Sequence, residues 1–141
     1  NNNISEDKFT SLVKHNSNIK IVQDAMFSST NEIRGTSYRS RIDDPKYQFA
    51  GKTGTAQVKK ITKRDRELDL ETSEIPYEER DHAIYIAFGP FKNPRYAVSI
   101  LVEHGGSGSS VAAPLAKILF KKIIDRHEIR KNFELNKYLN I

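Results

Sequence analysis

Two short runs of β-branched and aromatic residues, His82–Gly89 (HAIYIAFG) and Tyr96–Glu103 (YAVSILVE), are separated only by PFKNPR. Each run has the length of one strand. A link that short cannot hold the crossover that joins parallel strands, which takes a dozen residues or more. The pair therefore predicts an antiparallel hairpin, and everything else in the chain has to be arranged around it.

Tyr47–Val58 (YQFAGKTGTAQV) supplies a third strand, with Gly51 and Gly54 in its interior. Glycines there mark a bulge or a close backbone approach. The sheet is expected over Gln48–Gln57, Ala83–Gly89 and Tyr96–Glu103. Before it, Asn18 reads as the cap of a helix with Ile19, Val22, Met26 and Phe27 on one face, ended by Ser28, Ser29, Thr30 and Asn31. A shorter helix is expected from Ser5 to Lys14. After it, the turn His104–Ser110 (HGGSGSS) leads into a helix over Val111–Arg126, with Pro114 in its first turn. Leu115, Ile118, Leu119 and Ile123 share a face of this helix. They are expected to be buried on the sheet, at about 1.5–3 kcal/mol each. Glu32–Pro45 reads as an irregular crossing, 59–81 as a long charged loop and 127–141 as a basic tail. The fold class is α+β, an antiparallel sheet with packed helices. Three strands and two helices make a thin core, so an apolar surface on the sheet and on the Ile19–Phe27 helix is expected to stay open.

The 141 residues are enough for one domain, and 37% hydrophobic with 29% charged is ordinary globular composition. No apolar run nears the ~20 residues of a membrane span. The absence of cysteine excludes disulfides and thiolate chemistry. His15, His82, His104 and His127 are too scattered for a metal site, and no cofactor is expected. His82 and His104, at the ends of strands, read as structural, and so do Arg80 and Asp81. The excess of 23 basic over 18 acidic residues gathers near the C-terminus, as a solvated helix end does. The basic residues lack interleaved aromatics on a strand face, which argues against nucleic acid. GGSGSS before a helix could cradle a phosphate, but it lacks the Lys-Ser/Thr ending of a P-loop and reads as a tight turn. The chain begins at Asn1, not Met, and is read as a piece of a longer polypeptide.

Chemistry concentrates in Lys52-Thr53-Gly54-Thr55. A cation, two hydroxyls and a glycine lie within ~10 Å along a strand. The lysine offers charge to an anion or steers a proton. The hydroxyls can hold a carboxylate, and an N–H beside a glycine can donate to an oxyanion. Strict alternation puts Lys52 and Gly54 on one face and the threonines on the other, so a ligand served by all four must lie along the strand edge, as in strand addition.

K-T-G is the third motif of penicillin-binding proteins and class A β-lactamases, after S-x-x-K and S-D-N. The run AGKTGTAQV, then RDHAIYIAFGPFKNPRYAVSILVEHGGSGSS, then AAPLAKIL resembles the C-terminal part of class B penicillin-binding proteins, over roughly Ile19 to Ile124. The resemblance implies a partial serine β-lactamase/transpeptidase-like fold. It implies a serine D,D-transpeptidase that cross-links peptidoglycan stem peptides and is acylated by β-lactams. Lys52 would hold the hydrogen-bond network around the nucleophile. Thr53 and Thr55 would bind the substrate carboxylate, the Thr55 N–H would donate to the oxyanion, and Gly54 would keep the edge open. The parent would be anchored in the cytoplasmic membrane with this domain on the periplasmic side.

The serine is the departure. Ser11-Leu-Val-Lys14 fits S-x-x-K and Ser29-Thr-Asn31 fits S-x-N, but both stand in the wrong place for the family and read as imitations. The chain is expected to carry the third motif without the nucleophile, to be inactive alone, and to need the upstream part of its own domain as partner, with a homodimer as the substitute. The alternative is a non-catalytic peptide- or anion-binding module.

Overall fold

The computed structural model describes residues 15–60 and 70–139. The expected helix from Ser5 to Lys14, and with it Ser11 and Lys14, lies outside them. Helix α1 (Asn16–Asn31) leads through an irregular crossing with a 3-10 turn (Tyr38–Ser40) into strand β1 (Ala50–Ala56). Strands β2 (His82–Gly89) and β3 (Tyr96–Val102) follow, then a π-type turn (Gly108–Ala112) and helix α2 (Ala113–Leu139). The sheet has the order β1-β2-β3 and is antiparallel throughout, as the short links require. The fold is α+β, and β1 pairs without a bulge from Ala50 opposite Phe88 to Ala56 opposite His82. The glycine at 51 marks a close approach instead: a Cβ there would come within 2.4 Å of the Tyr85 hydroxyl.

The polar run Ser28–Asn31 sits inside the last turn of α1 and does not end the helix early. Tertiary partners hold it. Asn31 donates to the carbonyls of Phe27 and Phe49. Thr30 is fully buried and accepts the Gly51 N–H at 3.0 Å. Its hydroxyl also lies 2.9 Å from the Tyr85 hydroxyl, which lies 3.0 Å from Ser37 Oγ. Buried hydroxyls are tolerated only when each finds a partner, and among the described residues every buried side-chain polar atom does.

Helix α2 corrects the expected packing. Leu115, Ile118 and Leu119 are exposed, at 44%, 53% and 37%, and Ile123 is half-buried. The face on the sheet is Ala113, Ala116, Phe120 and Ile124, extended by Ala112. These positions also recur at helical spacing. Small residues let the helix axis come close, and Phe120 then stacks on Phe49 with ring centroids 5.0 Å apart. Gly89 leaves the room, since a Cβ there would lie 3.0 Å from the Phe120 ring. The helix runs on to Leu139, through most of the expected basic tail.

The apolar surface expected to stay open is open. Ile86 and Leu101 are exposed on the sheet face away from α2, and Ile19 and Val22 on α1. In 59–81, Tyr77–Glu79 forms a 3-10 turn. Asp81 ties that loop to the sheet, accepting the N–H of Val58 on its side chain and that of Gly106 on its carbonyl. The Arg80 guanidinium donates to the Ile75 carbonyl. The His104 N–H donates to His82 Nδ1 at 2.9 Å, so both histidines are structural ties between strand ends. The glycine-rich turn is a packing device: Gly108 is buried, and a Cβ there would stand 2.6 Å from the carbonyl oxygens of Gly54 and Ile84.

Candidate active site

Strand β1 is an edge strand, and its backbone alternation decides what that edge offers. The Gly51 N–H and C=O both face the Thr30 hydroxyl of α1, at 3.0 and 3.3 Å. In an antiparallel ladder, a residue turns both groups to the same side and its neighbour turns them to the other. Residues 53 and 55 therefore face outward like Gly51. Helix α1 covers the start of the edge, and beyond it the backbone of Thr53 and Thr55 looks outward. The Thr55 N–H is thus an outward donor two residues past the lysine.

Side chains sharpen this picture. Alternation separates Lys52 from Thr53, yet the lysine curls round the edge: its Nζ donates to the Thr53 carbonyl at 2.9 Å and lies 3.2 Å from Thr53 Oγ1. The Thr53 hydroxyl is 3.3 Å from Thr36 Oγ1, which is 3.1 Å from Ser29 Oγ. A chain of polar atoms thus runs Lys52, Thr53, Thr36, Ser29. The structure brings Lys52 and Thr53 into contact and leaves Thr55 exposed further along the same edge. Gly54 differs from Gly51 in a telling way. A Cβ at 54 would meet only the Ile84 side chain, at an ordinary 3.4 Å. The fold therefore leaves room for a side chain at 54, while the backbone of that residue is taken up by its pairing with Ile84 and by Gly108.

Sequence reasoning missed Thr36, Ser37 and Tyr85. Their signal was weak: hydroxyl residues in an irregular crossing mean nothing until the crossing is placed beside β1. Ser29 and Asn31, the S-x-N imitation, take different parts. Asn31 spends its amide on backbone carbonyls, while Ser29 ends the polar chain from Lys52. Among the described residues no group of three His, Cys, Asp or Glu side chains could hold a metal ion.

An edge strand carrying Lys-Thr-Gly-Thr, backed by a three-stranded antiparallel sheet and a C-terminal helix, defines the class. The penicillin binding protein transpeptidase domain family matches residues 3–125, and the chain belongs to that family. The chain is 34% identical over 105 residues to the peptidoglycan D,D-transpeptidase MrdA of Salmonella typhimurium, covering 74% of this chain and 16% of that protein. With the Acinetobacter baumannii protein of the same name it shares 43% over 79 residues, 56% of this chain and 11% of that one. Among solved structures it is similar to the penicillin-binding protein PBP2 of Helicobacter pylori in its complex with MreC. There the TM-score is 0.62 at 32% identity, over 77% of this chain and 17% of that one. It is also similar to Pseudomonas aeruginosa PBP2 in complex with WCK 5153, with TM-score 0.58 at 33% identity, over 77% of this chain and 20% of that one. The chain spans about a sixth of the length of the curated relatives it matches. No helix among the described residues is long and apolar enough to cross a membrane.

Proposed function

We propose that this chain is the third-motif portion of a serine D,D-transpeptidase that cross-links peptidoglycan stem peptides and is acylated by β-lactams. The observation that carries the reading is the open edge of β1, where the Lys52 ammonium, the Thr53 hydroxyl and the outward Thr55 N–H share one side of the strand. A stem peptide lies along that edge, its terminal carboxylate on the Thr53 and Thr55 hydroxyls. A serine hydroxyl from another segment of the polypeptide attacks the peptide carbonyl. The Thr55 N–H donates to the oxygen as it gains charge, and the serine's own N–H donates beside it. The leaving amine departs with a proton, and the acyl-serine is then taken by the amine of a second stem. Lys52 keeps the hydroxyl network around the nucleophile in order.

The parent sits in the cytoplasmic membrane with this domain on the periplasmic side, and the upstream part of the transpeptidase domain is the partner of this chain. The names of the relatives and the family match support the peptidoglycan D,D-transpeptidase reading of the parent. Labelled penicillin tests the reading. The full polypeptide takes up one equivalent on a serine outside these 141 residues, whereas the 141-residue chain alone takes up none, because acyl transfer needs a hydroxyl activated by a base and facing the oxyanion donors. An adduct mapping to Ser11, lost in Ser11→Ala, would contradict the missing-nucleophile part. No uptake by the full polypeptide would leave a non-catalytic peptide-binding module as the better reading.

A further inference from the structure

The hydroxyl of Thr53 stands between two polar neighbours. On one side is the Lys52 ammonium, 3.2 Å from Thr53 Oγ1. On the other is Thr36 Oγ1 at 3.3 Å, itself 3.1 Å from Ser29 Oγ. Thr36 is exposed, yet the residues on either side of it are fixed. Gly35 lies so close to the last turn of α1 that a Cβ there would clash with the carbonyl oxygens of Ser28 and Ser29. Ser37 is buried; its N–H donates to the Ser29 carbonyl at 3.0 Å, and its hydroxyl lies 3.1 Å from the same oxygen. Ser37 Oγ also lies 3.0 Å from the Tyr85 hydroxyl in the core. The crossing is thus pinned at both neighbours of Thr36, and the pinning holds the Thr36 hydroxyl against Thr53 at the open edge of β1.

A hydroxyl has one hydrogen and two acceptor positions, and an ammonium only donates. Lys52 therefore fills one acceptor position on Thr53 Oγ1. What Thr36 does with its own hydrogen decides the rest. If it accepts from Thr53, the Thr53 hydrogen is turned inward and the edge presents a lone pair that repels an anion. If it donates to Thr53, both acceptor positions are filled and the Thr53 hydrogen points out along the edge. We infer that Thr36 is a positioning residue for substrate binding: it donates into Thr53 Oγ1 and so aims the Thr53 hydroxyl at the terminal carboxylate of the bound peptide. The inference rests on the function proposed above and adds to it a residue that acts through Thr53. Ser29 completes the arrangement by donating into Thr36 Oγ1, so that the three hydroxyls run one way, from α1 to the carboxylate. An ionised carboxylate accepts and does not donate, so its arrival selects this direction.

The test is saturation kinetics of acylation of the full polypeptide by a penicillin with a free carboxylate and by its methyl ester, which carries no charge there. Thr36→Val keeps the shape of the side chain and removes the hydroxyl. It is expected to weaken binding of the acid before acylation by about twofold to tenfold, the range for one lost hydrogen bond, with the acylation rate constant at saturation unchanged. The ester should lose nothing. Thr36→Ser should restore binding of the acid, since it returns the hydroxyl. Ser29→Ala should show the same pattern with a smaller loss, and it carries the test if circular dichroism finds Thr36→Val unfolded. Equal losses for acid and ester, no loss for the acid in folded Thr36→Val, or a Thr36→Ser variant no better than Thr36→Val would overturn the positioning role. A wild type that is not acylated at all would overturn the transpeptidase reading and this inference with it, so the two failures are distinguishable.

Discussion

At the scale of single residues, the two glycines of β1 do different work, and substitution separates them. Gly51→Ala forces a Cβ into the Tyr85 hydroxyl. Overpacking of this kind costs about 1–3 kcal/mol. Gly54→Ala meets only ordinary contact, so urea unfolding should show a change below about 1 kcal/mol, set by strand packing alone. Equal losses in the two variants would mean that Gly54 is a packing residue. Tyr85 gives a pH prediction. Burial holds its phenol above the ordinary value near 10, against a smaller opposing pull from its hydrogen bonds to Ser37 and Thr30. Above about pH 10 the unfolded chain loses this proton while the folded one keeps it, so stability is flat below that pH and falls as pH rises past it. Tyr85→Phe should remove that alkaline decline and lower the plateau, since Thr30 and Ser37 lose a partner; denaturation curves across pH 8–11 read both effects.

At the scale of elements, β2 and β3 were each legible to within one residue, because a short apolar run between turn signals leaves little freedom of register. Helix α2 was legible as a helix but not in its orientation. Two faces recur at helical spacing, one of leucine and isoleucine and one of alanine with Phe120 and Ile124. Hydrophobicity favours the first, and closeness of approach decided for the second. Phe120→Ala should therefore cost about 3–5 kcal/mol as a core cavity. Leu119→Ala should cost less than about 1 kcal/mol. Thermal unfolding of the two variants in the reverse order would restore the leucine face to the sheet. The site was legible only where its residues are contiguous. Lys52 to Thr55 form one motif, whereas Thr30, Thr36 and Tyr85 come to it from elements whose placement no local pattern encodes.

At the scale of the whole molecule, apolar surface lies on three sides. Ile86 and Leu101 are exposed on the sheet, Ile19 and Val22 on α1, and Leu115, Ile118 and Leu119 on α2. Patches of this kind mark a surface made for more protein. The isolated chain should sediment with a coefficient that rises with concentration, and Ile86→Lys with Leu101→Lys should suppress the rise. A compact monomer at every concentration would count against it.

The account's central claim is that the Lys52–Thr55 edge belongs to an acyl-transfer site, and the rate of β-lactam acylation tests it most directly. In the full polypeptide, Lys52→Ala should slow acylation by about 10²–10³, the usual loss for one preorganised electrostatic contact. Its thermal unfolding should stay unchanged, since Lys52 is exposed and its hydrogen bonds among the described residues go to Thr53. Acylation of the folded variant at the wild-type rate would contradict the claim and leave the motif as an ordinary edge strand.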